Sequence, residues 1–267
     1  MSHRIIASRL LIFCLVLFQS VAQQSVAQQS VAQQSVAQHG YAQQSPYKLK
    51  WNVELPVYVV GTTYGAVERL RPKSYPPLTS LQVVQLDPQS VGSFDRVATT
   101  LWNVPVQKAS TYLTVGALGI PVLMQLDPAM RKHWKTNMVL YGEVLLLENL
   151  VKNITKDAIL RTRPLAYNAV VPFKDKLELD TRNSFFSGHT SATAAATFFA
   201  AQMYADYHPD SPYKPAVWAA AAGIPAVVGY LRVAGGKHYP SDVIVGYVVG
   251  AGVGLLVPYI HKKLKKR

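Results

Sequence analysis

Cysteine is almost absent: the 267-residue chain holds one, Cys14. A disulfide framework and a cysteine-ligated zinc site are thereby excluded. Acidic residues are scarce too, 14 against 27 Lys and Arg, which leaves a formal net charge of +13. Charged residues of both signs reach only 15% of the chain, below the roughly 25% of an average soluble domain. With a mean hydropathy of +0.11, this excludes a disordered polyelectrolyte. The cations are also too few, and gathered at too few places, for an aromatic-studded nucleic-acid face. The composition favours a membrane surface or an anionic small molecule as partner.

Residues 1–22 read as a secretory signal, with Arg4 and Arg9 flanking the start of an apolar run at 10–18 and Ser20, Val21 and Ala22 forming a small-x-small cleavage site. The run is shorter than the ~20 apolar residues that a membrane span needs. Residues 23–46 read as a flexible tether, since Gln-Ser-Val-Ala-Gln repeats four times across 19–38 and a worn copy follows at 41–45.

Beyond the tether, apolar stretches occur at 55–67, 112–126, 138–151, 191–204, 216–233 and 243–260. All six read as helices, so the expected fold is an all-α bundle of about six helices, embedded in a membrane, with its functional residues at one end. Residues 47–109 form an N-terminal helix and loop region, and 261–267 a basic cytoplasmic tail. The 243–260 stretch carries no charge, and its Gly246, Gly250 and Gly254 form a stripe that permits close helix packing. Cations after the second stretch (Arg131, Lys132, Lys135) and after the last (Lys262, Lys263, Lys265, Lys266, Arg267) place those two ends in the cytoplasm. An exported N-terminus then fits five crossings from 112 onward, provided that 55–67 does not cross. The competing architecture is a soluble all-α domain whose apolar helices bury one another.

Three clusters carry the chemistry. In the first, Lys156 and Arg163 lie two helical turns apart, with Pro164 ending the helix so that Arg163 projects from its terminus. In the second, Ser187 caps a new helix and Gly188 lets backbone approach a ligand, beside His189. The third holds Arg232, His238 and Asp242. The last two share a helix face, so that the carboxylate holds one imidazole nitrogen and leaves the other free as a nucleophile. Lys156, Arg163 and Arg232 would donate to phosphate oxygens, and the two histidines would form a nucleophile and acid pair. Taken singly, each cluster also reads as a capped helix end or a solvated surface pair. With residue types at roughly 5% each, all three arise in order by chance on the order of 10⁻⁵ of the time.

At these residues the sequence resembles the type 2 phosphatidic acid phosphatase superfamily, which also contains bacterial class A acid phosphatases and vanadium haloperoxidases. The resemblance covers about residues 110–260, which it marks as the catalytic domain. The block K-x6-R-P is complete at Lys156, Arg163 and Pro164. Phe186 replaces the proline of P-S-G-H, and Leu231 replaces the serine of S-R-x5-H-x3-D. The resemblance implies hydrolysis of phosphate monoesters or pyrophosphates without metal or other cofactor. His238 would attack phosphorus, oriented by Asp242, to form a phosphohistidine; His189 would protonate the leaving oxygen and then activate water. Lys156, Arg163, Arg232, the Ser187 hydroxyl and the Gly188 amide would hold the equatorial oxygens. The expected substrate is a phosphorylated membrane lipid and no nucleic acid is involved. The expected place is the bacterial inner membrane, with the active site facing the periplasm.

Three other functions fit the same motifs: a soluble periplasmic nonspecific acid phosphatase, a vanadate-dependent haloperoxidase, and an inactive relative that binds phosphorylated lipid. His39, His133, His208 and His261 read as non-catalytic. Lys237, Arg161 and Arg182 are either solvated or near the phosphate, and Tyr167 and Asn168 are candidate pocket residues. Trp51, Trp102 and Trp134 suit a membrane interface or core packing.

Overall fold

The computed structural model describes residues 44–71, 73 and 75–266. The signal segment and nearly all of the repeat tether lie outside these residues. Six helices of 20 to 27 residues carry the fold: α1 (Trp51–Leu70), α2 (Val104–Leu123), α3 (Trp134–Ala158), α4 (Gly188–Tyr207), α5 (Lys214–Ala234) and α6 (Pro240–Lys266). Among the described residues the only β contact is an isolated bridge between Arg161 and Asn183. The expected all-α bundle is therefore what forms, each apolar stretch falling on one long helix. Local chemistry sets several of the starts. Asn103 accepts the Val106 N–H at 3.1 Å ahead of Pro105 in α2, Ser187 accepts the Thr190 N–H in α4, and the Glu54 carboxylate reaches back to the Lys50 N–H at 2.7 Å in α1.

The central helix is α4, which packs against α2, α3, α5 and α6. Thr114 of α2 meets Thr193, while Gly246, Gly250 and Gly254 of α6 lie against Ser187, Ser191 and Ala195, so α2, α4 and α6 run the same way. Helices α3 and α5 run the other way: Glu148 bonds Ser191 while Asn137 bonds Tyr207, and Gly229 lies by Thr190 while Ala221 O accepts from Thr197. One end of the bundle thus gathers the starts of α2, α4 and α6 with the ends of α3 and α5. The other end carries the basic 131–135 and 262–266 segments.

The glycine stripe sets the spacing of α6 on α4. A Cβ on Gly250 would lie 2.0 Å from the Ser191 carbonyl oxygen, and one on Gly254 2.5 Å from that of Ala195. Both obstacles are helix backbone, which cannot step aside as a flexible side chain would. Gly250→Leu is accordingly expected to prevent assembly of the bundle. The check is the yield of monodisperse, detergent-solubilised chain, with Gly252→Leu, whose Cβ meets nothing within 4 Å, as the tolerated control.

The exterior is apolar and the centre partly polar. Tyr112, Val115 and Leu123 on α2, Tyr230 on α5 and Val248 on α6 are each more than half exposed, while Thr190, Ser191, Thr193 and Thr197 on α4 are buried. This distribution suits lipid around the bundle, with small and hydroxylic residues joining helices inside. Val104–Leu126, Lys214–Ala234 and Pro240–Lys266 are long and apolar enough to cross a membrane. The chain is a membrane protein.

The five-crossing scheme depends on where α1 lies. Helix α1 does not stay out of the layer occupied by the other five. It lies along α3 in the same direction, with the Tyr58 hydroxyl donating to Val139 O, Gly61 against Leu146 and Gly65 near Asn149. The chain enters it at the basic end, where the Tyr47 hydroxyl donates to the Asp206 carboxylate, itself paired with Lys262. The physical reason is the amphipathic pattern: Gly61 and Gly65 admit α3 on one face, while Leu55, Val59, Val60 and Val67 point outward. Twenty residues rise ~30 Å, enough to match the bilayer core.

Candidate active site

The site forms at the end where α3 and α5 finish and α4 and α6 begin. Lys156 stands in the last turn of α3 and donates to Asn183 O at 3.1 Å. Arg163 is not on that helix, contrary to the expectation from spacing. The helix stops at Ala158, Ile159 turns extended, and Arg161 bridges Asn183, so that Arg163 enters from the 159–187 loop with its N–H on Thr181 O at 2.8 Å. Ser187 and Gly188 open α4 with His189 in its first turn. Arg232 lies in the last turn of α5, and the turn after it depends on Gly236, whose φ is 71°. A Cβ there would sit 2.1 Å from Leu101 O. The turn folds Lys237 and His238 back so that both amides donate to Arg232 O, at 3.0 and 3.3 Å. His238 therefore precedes α6, while Asp242 lies in that helix's first turn.

These elements enclose a cavity of about 370 Å³ lined by Lys156, Arg163, Asp180, Gly188, His189, Arg232 and His238, with Thr114 and Lys152 at its sides. Seven of the eight residues singled out from the sequence are thus in or directly behind one pocket. Ser187 is the partial exception: it is fully buried, and its hydroxyl is 2.9 Å from that of Thr190, so it serves the cap of α4. Phe186, standing where the motif has proline, is buried beside it.

His238 is 1% exposed. Arg163 Nη1 lies 3.1 Å from its Nε2. A guanidinium only donates, so Nε2 is the unprotonated acceptor and Nδ1 carries the hydrogen. That Nδ1 faces Asp242 Oδ2 at 3.6 Å. Burial first, and then Arg163, Arg232 and Lys156, push the His238 imidazole well below its usual range, so the ring is neutral. His189 has its Nε2 3.3 Å from the Thr111 hydroxyl and is pushed down to about 4 by burial and then Arg232, Arg163 and Lys156. The buried Arg232 donates from Nη1 to Ser110 at 3.3 Å and leaves its Nε–H without a partner. Such a collection of cationic donors repels a divalent cation and suits a tetrahedral oxyanion.

The residues around Asp242 were not legible as a group. Its carboxylate is fully buried and takes bonds from Arg161, from the Ser184 hydroxyl and, at 3.0 Å, from the Tyr239 N–H. Arg161 also binds Asp95 at 2.7 Å, stacks on the Tyr239 ring at 4.1 Å and bonds Ser241, which binds Asp95 in turn. Asp95 and Ser241 are 146 residues apart, and no motif marks either. Asp180, also missed, grips Arg163 at 2.8 Å from the mouth of the pocket, where its side chain is 61% exposed.

Lys156 makes the pocket's anion affinity sensitive to alkali. Burial, with Arg163 and two further cations nearby, lowers its ammonium to about 8. Above that value the empty pocket loses one positive charge, whereas a bound anion favours the charged form. Inorganic phosphate is almost wholly the dianion above that value, so its affinity is expected to fall as pH rises further. In Lys156→Arg the fall should disappear. Isothermal titration of phosphate from pH 7 to 9.5 checks both.

A sequence profile of the PAP2 superfamily matches residues 137–266, the span that contains all three clusters. Through that span the chain is similar to the PAP2 superfamily. It is 27% identical over 169 residues to phosphatidylglycerophosphatase B of Bacillus subtilis (strain 168), covering 62% of this chain and 78% of the relative. The fold is similar to the crystal structure of a transmembrane PAP2-type phosphatidylglycerolphosphate phosphatase from Bacillus subtilis. That likeness has a TM-score of 0.50 and 20% identity, and covers 80% of this chain and 98% of the other. The chain thus has the fold that the resemblance at its three clusters implied.

Proposed function

We propose that this PAP2-superfamily phosphatase removes phosphate from a phosphorylated membrane lipid through a phosphohistidine on His238. The observation that carries the reading is the neutral His238, its Nε2 unprotonated and facing Arg163 in a cationic pocket at one end of an apolar bundle. In the first step Nε2 forms a bond to phosphorus while the ester P–O bond breaks. A bound phosphate dianion offsets the cations that hold His189 neutral, so His189 takes up a proton as substrate binds and passes it to the departing oxygen. In the second step neutral His189 takes a proton from water, whose oxygen displaces His238 from phosphorus, and inorganic phosphate leaves. Lys156, Arg163 and Arg232 hold the equatorial oxygens, at about 1.5–3 kcal/mol for each charge-assisted bond.

The relatives are named for phosphatidylglycerophosphate, and a phosphomonoester on a glycerolipid is the substrate class we assign here. The test is phosphate release by detergent-purified chain in EDTA, comparing phosphatidylglycerophosphate, phosphatidate, undecaprenyl pyrophosphate and p-nitrophenyl phosphate. A kcat/KM for one lipid at least tenfold above the soluble ester supports the assignment, while preference for the soluble ester replaces it with a general acid phosphatase.

We also infer that the pocket end faces the periplasm, because the opposite end carries the 131–135 and 262–266 cations. Six crossings then place Tyr47 on the cytoplasmic side. That does not agree with export of the chain from residue 23, and of the two expectations the charge bias is kept. In Cys14→Ser, an impermeant thiol reagent on intact cells should label Leu179→Cys and spare Ser211→Cys.

A further inference from the structure

Far from the pocket, Glu54 of α1, Glu143 of α3 and His261 of α6 meet inside the bundle, each no more than 2% exposed. Their ligand atoms lie within 4.8 Å of one another. Along α3, Glu143 is 13 residues before Lys156, a rise of ~20 Å. The cluster therefore takes no part in the chemistry at His238.

Three observations constrain what it holds. His261 Nδ1 is 2.9 Å from Val257 O, a carbonyl that only accepts, so Nδ1 carries hydrogen and Nε2 is turned toward the carboxylates. Nε2 lies 3.1 Å from Glu54 Oε1 and 3.5 Å from Glu143 Oε2. Ligand atoms bound at ~2.0–2.2 Å around a tetrahedral ion are spaced ~3.3–3.6 Å apart; the Glu143 distance falls in that range and the Glu54 distance a little below it. Lastly, Glu54 Oε2 and Glu143 Oε1 are buried with no hydrogen-bond partner. Among the described residues neither glutamate pairs with Lys or Arg. Two buried carboxylates that face each other with unpartnered oxygens cost several kcal/mol unless positive charge stands between them.

We propose that Glu54, Glu143 and His261 bind one divalent cation of the zinc type, which ties α1, α3 and α6 together. Two carboxylate oxygens and one imidazole nitrogen are a donor set for such an ion, with a fourth position for water. The Val257 carbonyl on Nδ1 and the Lys50 amide on Glu54 are the supports that orient metal ligands from behind. The ion completes the attachment of α1 to the bundle and leaves hydrolysis untouched.

The full chain, purified in detergent and stripped with chelator, is equilibrated separately with Zn²⁺, Mn²⁺ and Mg²⁺, desalted and assayed for metal by mass spectrometry. One Zn²⁺ per chain is expected, with a rise of about 5–10 °C in the unfolding midpoint and unchanged phosphate release. Glu143→Gln should lose both the stoichiometric metal and the shift while keeping its activity. Should that variant not fold, Co²⁺ added to the unsubstituted chain decides: strong visible d–d absorption of a tetrahedral site supports the proposal. Weak octahedral bands, no retained Zn²⁺, preference for Mg²⁺ or Mn²⁺, or equal Zn²⁺ in folded Glu143→Gln would each overturn it. The activity of the same samples reports separately on the proposed hydrolysis.

Discussion

His238→Ala should release no measurable phosphate, a loss of at least about 10⁴-fold, because the substitution removes the atom that bonds to phosphorus and nothing else in the pocket can replace it. The neighbouring nucleophile candidate, His189, is separated from that role by its position: its Nε2 faces the Thr111 hydroxyl, whereas His238 Nε2 faces the Arg163 guanidinium, which in the proposed reaction would also hold the anion. The phosphate-binding cations do not depend on the His238 ring. Lys156 is held by Asn183 O, Arg163 by Asp180 and Lys237 O, and Arg232 by Ser110. Affinity for inorganic phosphate should therefore remain within about tenfold of the unsubstituted chain, which separates lost chemistry from a lost fold. His189→Ala supplies the complementary signature. A phosphohistidine resistant to alkali and labile to acid should accumulate, since the step that activates water is the one impaired. Substantial release by folded His238→Ala would refute the covalent route.

Arg161→Met is expected to be the most damaging change outside the pocket. Asp242 is wholly buried and Asp95 nearly so, and Arg161 is the charge that both carboxylates share. Removing one partner of such a buried network costs about 3–5 kcal/mol, because the remaining charges keep their desolvation penalty. Arg161 acts as a positioning residue: with Asp242 released, the imidazole of His238 loses the carboxylate that its Nδ1–H faces. kcat should fall about 10²- to 10³-fold with KM changed less than about threefold. Arg161→Lys separates the two effects. An ammonium can neutralise the pair but cannot reach both acids with a planar fork, so the unfolding midpoint should recover more than kcat does. Parallel recovery of both would reduce Arg161 to a purely structural role.

The long helices were readable because each is apolar over most of its length, a signal that survives without any knowledge of neighbours. Their ends were not. The stretch at 112–126 omitted the first two turns of α2, where polar Gln107, Lys108 and Ser110 interrupt the apolar run although Asn103 and Pro105 mark the start. Arg163 was placed on a helix because the residues between Lys156 and Arg163 include no glycine or proline. What stops that helix at Ala158 is a tertiary event, the pairing of Arg161 with Asn183. Most of the residues that line the pocket were legible from local spacing, whereas Asp95, Ser184 and Asp180 acquire their contacts only when distant segments meet. For the same reason the partner of α1 could not be read: its two glycines matter only against Leu146 and Asn149 of α3.

The cationic pocket at the start of α4 has a kinetic corollary. In the proposed reaction Lys156, Arg163, Arg232 and the amides of α4 would meet the phosphate group twice, once as the ester and once as the liberated ion. Whatever affinity they lend to both in equal measure lowers KM without speeding turnover, and it also slows departure of the last product. On that reading free phosphate in the surrounding fluid would act as a brake on turnover, and its concentration would set how much of the protein is idle.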